Sequence, residues 1–116
     1  MADNITQKLN QYQMIPFILD AILAEISPQK IILFGSCANK YINKNSDIDL
    51  CIVLDKTVNQ KQKREMRSNL LEILLNITDY EVDLLICSND EWQRNDGDES
   101  TFIGKISKGG ELLYGR

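Results

Sequence analysis

The sequence predicts an α/β fold in which helices pack on a small sheet. Three observations carry that reading. Helical and strand periodicities alternate along the chain, the strand runs are short and bounded by turn residues, and no repeat or Pro/Gly-rich linker divides the pattern. The 116 residues therefore read as a single domain, residues 1–116, with residues 1–13 as a separate helical turn or a flexible lead.

Ile15, Ile18, Leu19, Ile22, Leu23 and Ile26 recur at helical spacing and predict an amphipathic helix over residues 15–26. Pro16 suits the first turn of such a helix, where a missing N–H costs nothing, better than its interior. Ser27-Pro28 ends it, because the residue before proline avoids helical geometry. Lys30-Ile31-Ile32-Leu33-Phe34 is apolar and β-branched, and reads as a buried strand stopped by a Gly35-Ser36 turn. Two more strands are predicted over residues 47–54 and 81–87. Between them, Thr57 and Gln60 have capping-box spacing for a helix over residues 58–77, with Met66, Leu70, Ile73, Leu74 and Ile77 as its apolar stripe. Ser88 and Glu91 repeat that spacing before a short helix. A last helix over residues 101–108 stops at Gly109-Gly110.

Composition excludes several classes. Hydrophobic residues at 43% and charged ones at 26% are those of a globular domain. A net charge of −4 argues against stable, direct nucleic-acid binding, yet permits nucleotide binding if a divalent ion supplies local positive charge. The three cysteines, Cys37, Cys51 and Cys87, have no paired spacing and there is no histidine, so zinc is not expected. Cys51 and Cys87 lie in apolar runs and read as core residues in a reduced, cytoplasmic setting. No signal peptide or membrane-length apolar run is visible, so the Asn76-Ile77-Thr78 sequon lacks a secreted context and no membrane partner is expected.

The chemistry concentrates in residues 35–50. A Gly35-Ser36 turn follows the first strand, ten residues intervene, and Asp47-Ile48-Asp49 opens the second strand. Alternation along a strand sends Asp47 and Asp49 to one face. Two carboxylates so placed repel each other unless a cation lies between them, and magnesium takes such oxygen ligands while leaving room for phosphate. Glycine lets the backbone approach a phosphate, a following helix start would add amide donors, and Ser36 adds a hydroxyl. Asp83, flanked by apolar residues, completes a triad if the second and third strands are neighbours, as a second metal ligand, a general base, or both. Glu81 shares its face and competes for that place.

With these residues in view, the run over residues 33–53 resembles the nucleotidyltransferase superfamily related to DNA polymerase beta. Its brevity is similar to the minimal nucleotidyltransferase branch, whose members often partner HEPN-domain toxins as antitoxins. The tail, Phe102-Ile103-Gly104-Lys105-Ile106 through Gly110-Glu111-Leu112-Leu113-Tyr114, resembles the end of those domains, so the likeness covers residues 30–114. It implies a nucleotidyltransferase-type sheet, ATP as substrate and Mg2+ held by Asp47, Asp49 and Asp83. It also implies nucleotide contacts from Gly35, Ser36 and Lys40, and transfer of AMP to a tyrosine of a cognate HEPN ribonuclease. Where members of that branch often carry basic residues and a second glycine after Gly-Ser, this chain has Cys37, Asn39 and Lys40.

Plainer readings stand beside these. Asp47 alone would be a strand-start cap or turn residue, and Asp83 alone could pair with a nearby lysine. The cluster Lys56, Lys61, Lys63, Arg64 and Arg67 reads first as a solvated face, and second as a docking patch. Trp92 and the acidic residues 90–99 read as a surface helix and loop, and Tyr114 as packing. Two other functions remain open at this stage: a non-catalytic antitoxin with a degenerate site, and a nucleotidyltransferase for a small molecule such as an aminoglycoside.

Overall fold

The first helix starts earlier than its apolar spacing. In the computed structural model, which describes residues 9–39 and 42–116, α1 runs Gln11–Glu25. Asn10 and Gln13 form a reciprocal cap: the Asn10 side chain accepts from the Gln13 N–H at 2.8 Å, and the Gln13 side chain accepts from the Asn10 N–H at 2.9 Å. Buried Gln11 donates its amide to the carbonyls of Asn43 and Ser46, at 2.6 and 3.1 Å. These ties outweigh the bond that proline cannot make, so Pro16 lies inside the helix and not in its first turn. They also anchor the loop that leads to Asp47.

Four strands follow: β1 (Lys30–Phe34), β2 (Ile48–Val53), β3 (Val82–Cys87) and β4 (Glu111–Gly115). The sheet order is β3-β2-β1-β4. β1 is antiparallel to both β2 and β4, whereas β2 and β3 are parallel. A parallel pair cannot be joined by a hairpin, and α2 (Gln60–Leu74) supplies the crossover. β4 was not foreseen. Five residues after a glycine pair give too little alternation to announce a strand, and its register slips against Ile31 and Ile32.

α2 begins two residues later than its predicted cap. The Thr57 hydroxyl donates to Asp90 Oδ1 at 3.2 Å, and the Val58 N–H donates to the Ser88 hydroxyl, which donates back to the Val58 carbonyl. The chain is thereby held extended until Asn59, which forms the capping box with Gln62. The helix ends at Leu74, leaving Ile77 in the turn beyond it. Two short helices complete the described fold, α3 (Asn89–Asn95) and α4 (Phe102–Gly109).

Alternation along the strands builds two apolar layers. Ile31, Leu33, Ile48, Leu50 and Ile52 pack with Ile18, Ile22, Leu70 and Leu74 of α1 and α2. Ile32, Cys51, Val53 and Cys87 face the other way, onto Trp92 of α3 and Ile106 of α4. Trp92 is therefore a core residue at 5% exposure, not a surface one. The three cysteines are buried free thiols. Among the described residues no helix is long and apolar enough to cross a membrane.

Candidate active site

The β1–β2 pairing sets Phe34 opposite Asp49, and the chain turns at Gly35 immediately afterwards. Gly35 has φ +75, the left-handed region that glycine enters without strain. A Cβ at this position would collide with the Asp49 carboxylate. Two independent constraints thus demand glycine beside this aspartate. Residues 35–39 form a turn closed by the Asn39 N–H donating to the Gly35 carbonyl at 3.3 Å, in place of the helix start expected. Ser36 is half-buried in it, and Lys40 lies outside the described residues. Cys37 is fully buried, its thiol donating to the Asp47 carbonyl at 3.4 Å, so it fastens the turn to the start of β2.

The parallel pairing of β2 with β3 sets Asp49 beside Asp83. Asp47 precedes β2 by one residue, in backbone pinned where the Ile48 N–H donates to the Glu81 carbonyl at 2.9 Å. Burial, then the charges of Asp83 and of Asp47, push the Asp49 carboxyl above the ordinary carboxylate value. The sheet therefore brings Asp47 and Asp83 within electrostatic reach of Asp49, with Gly35 against that central carboxylate. Glu81 is exposed and stands before β3 rather than in it.

Arg67 was legible only as one member of a basic cluster. Its Nη2 lies 3.1 Å from Asp83 Oδ1, and its Nε donates to the Leu84 carbonyl at 2.9 Å. It thus covers the open edge of β3 and pairs with the third aspartate. The signal for this was helical phase: Arg67, Leu70, Leu71 and Leu74 share the i, i+3, i+4, i+7 stripe that α2 turns to the sheet. Lys63, from the same cluster, pairs with Glu91 of α3.

A magnesium ion fits this donor set. The ligands are all oxygen, burial and then the charges of Asp83 and Asp47 disfavour the ionised Asp49 where a cation would offset them, and glycine at position 35 is what lets the turn approach the Asp49 carboxylate so closely. Among the described residues no three His, Cys, Asp or Glu side chains converge on a common metal point. Asp47, Asp49 and Asp83 are therefore not assembled as a common three-carboxylate ligand set. Three concavities lie around the aspartates. One of them, of about 380 Å3, is lined by Asp47 with residues 44–46 and 79–81. The other two lie toward opposite edges of the sheet. One of about 650 Å3 lies on the β3 side, lined by Asp47, Glu81 and Asp83 with Ser68, Leu71 and Leu75 of the α2 end. The other, of about 280 Å3, lies on the β1 side between the Gly35 turn and α4.

A mixed sheet with helices on both faces, presenting a Gly-Ser turn against an Asp-x-Asp that opens a strand, is a nucleotidyltransferase fold. The comparisons agree with that class and narrow it. Residues 18–116 match the family described as Polymerase beta, Nucleotidyltransferase, and the chain belongs to it. Among solved structures, a chain of a toxin–antitoxin crystallised with AMP-PNP is 26% identical, with a TM-score of 0.57 over 85% of this chain and 71% of that one. A chain of the toxin–antitoxin MntA-HepT is similar in fold, at 24% identity and a TM-score of 0.54 over 91% and 74%. A search of the curated proteins gives no match.

Proposed function

We propose that this chain is a single minimal nucleotidyltransferase domain that transfers AMP from ATP to a hydroxyl of a partner protein, a tyrosine of a HEPN-type ribonuclease toxin. The observation that carries the reading is the strand register, which sets Gly35 against Asp49 and Asp49 beside Asp83. The likeness to a toxin–antitoxin chain crystallised with AMP-PNP supports both the nucleotide and the kind of partner.

In this reading Asp47 and Asp49 hold magnesium, with Asp83 as the third carboxylate. When bound, the ion supplies charge neutralisation at the α-phosphate and at the leaving pyrophosphate. Gly35 lets the backbone close on the phosphates, and the Ser36 hydroxyl donates to one of their oxygens. Across the sheet, the order Asp83, Asp49, Gly35 gives a direction to the displacement. The acceptor oxygen enters from the Asp83 side and bonds to the α-phosphorus while the bond to the pyrophosphate oxygen breaks. The hydroxyl proton passes to the Asp83 carboxylate, and pyrophosphate departs on the Gly35 side.

Two observations favour a second reading, a non-catalytic antitoxin that acts by docking alone. Asp83 is already paired with Arg67, and the position after Ser36 holds buried Cys37 in place of a cation. One experiment separates the two. The chain is co-expressed with a HEPN-type toxin, and both intact masses are measured. Catalysis requires AMP-sized increments on the partner that vanish with Asp47→Asn. A stable complex without added mass supports the docking reading, and neither complex nor modification defeats both.

A further inference from the structure

The concavity on the β1 side of the aspartates has a chemistry unlike the rest of this acidic chain. It is lined by Phe34, Gly35 and Asn39 at the end of β1 and by Phe102, Lys105 and Gly109 of α4. The α4 positions, with Ile106, follow the i, i+3, i+4, i+7 spacing, so one face of the helix looks onto the Gly35 turn. No carboxylate lines this space, whereas Asp47, Glu81 and Asp83 all line the cleft on the other side.

Several contacts fix α4 in that place. The Thr101 hydroxyl caps it, accepting from the Gly104 N–H at 3.0 Å. The Phe102 ring meets Phe34 edge-on, with centroids 5.8 Å apart. At the far end, a Cβ on Gly110 would stand 2.6 Å from Ile32 Cγ2 and 3.0 Å from the Leu33 carbonyl, so the helix end lies hard against β1. Lys105 is thus carried on a fixed element. Lys63, Arg67, Arg94, Lys108 and Arg116 each sit against a carboxylate, but Lys105 has no such partner among the described residues.

We infer that Lys105 binds the polyphosphate tail of the nucleotide, whose β- and γ-phosphates run past Gly35 and Ser36 into this concavity. The inference rests on the nucleotidyltransferase reading above and adds a residue to it. The tail carries most of the ligand's charge, and a carboxylate-free pocket with one unpaired ammonium complements it. Cys37 is turned into the core, so the turn itself offers no cation at that position, and α4 supplies one from the opposite wall. Pyrophosphate gains charge as it leaves, so the same contact favours its departure.

The test compares wild type, Lys105→Ala and Lys105→Arg for binding of AMP-PNP and of AMP by calorimetry in magnesium. Removing one charge-assisted contact should weaken AMP-PNP by about tenfold, leave AMP unchanged, and be largely reversed by arginine. Lys105 is exposed, so unchanged melting temperatures serve as the check on folding. Unchanged AMP-PNP affinity in Lys105→Ala overturns this inference alone. An equal loss for AMP also overturns it, since AMP lacks the tail. A wild-type chain that binds neither nucleotide overturns the inference together with the reading beneath it.

Discussion

Asp49 bears the electrostatic cost of the site. Burial, Asp83 and Asp47 together raise its pKa in the folded state, so that state keeps a proton that the unfolded chain has already lost. Stability therefore falls as pH rises through the interval between the two values, and stays lowered above it. This is the reverse of a salt-bridged carboxylate. Asp49→Asn removes the penalty, so the variant should melt above wild type at neutral pH while losing AMP transfer. The gap should close as pH falls into the range where Asp49 is protonated, and a variant that melts lower at neutral pH contradicts the account. Magnesium should raise the melting temperature of wild type more than that of the variant. Gly35→Ala tests the neighbouring constraint. A left-handed backbone costs a residue with a Cβ about 1–2 kcal/mol, and the collision with Asp49 adds to that. Chemical denaturation should show at least this loss, accompanied by loss of magnesium-dependent nucleotide binding.

At the scale of elements, α3 ties the second apolar layer to the long crossover helix. Trp92 fills the space beneath Ile106, and Trp92→Ala should cost about 3–5 kcal/mol in a urea titration. Burial disfavours the Glu91 charge, but the Lys63 ammonium and the Ser88 N–H outweigh it and hold the carboxyl below its usual value. That stabilisation is present at neutral pH and is lost as pH falls through the lowered value, so Lys63→Ala should matter least in acid. Trp92 was misread because a seven-residue helix beside a run of acids shows too little periodicity to reveal its buried side. β1, β2 and β3 were legible because each is a short, mostly apolar and β-branched run bounded by turn residues. β4 was not, since its pairing depends on β1, far away in sequence. The α2 cap was placed two residues early because Thr57 and Val58 are engaged by Asp90 and Ser88, partners that only the folded chain brings near. The closeness of Asp47 to Asp49 was legible in their spacing, although Asp47 stands just before the strand, whereas the Arg67–Asp83 pair needed the packing of α2 on the edge of β3.

Over the whole molecule the sheet separates two tasks. On the proposed reading the β1 side, with Gly35 and Lys105 lining one concavity, takes the phosphates, and the β3 side holds a larger cleft bordered by carboxylates and by the end of α2. If the acceptor is a protein, its hydroxyl must reach the α-phosphorus from the β3 side, and the side chains around it must rest on that cleft. Leu75, 77% exposed at the end of α2, is the apolar surface placed to receive them. Leu75→Glu adds charge to a rim that already holds Glu72, Glu81 and Asp83, and removes apolar area from a partner's reach. It touches neither the Gly35 turn nor the core, so magnesium-dependent AMP-PNP binding and the melting temperature should match wild type. AMP transfer to the partner should fall by about tenfold or more, as for a side chain central to an interface. Comparable loss of AMP-PNP affinity would move the nucleotide to this cleft and reverse the direction of the displacement. Unaltered transfer would remove the cleft from the acceptor's path.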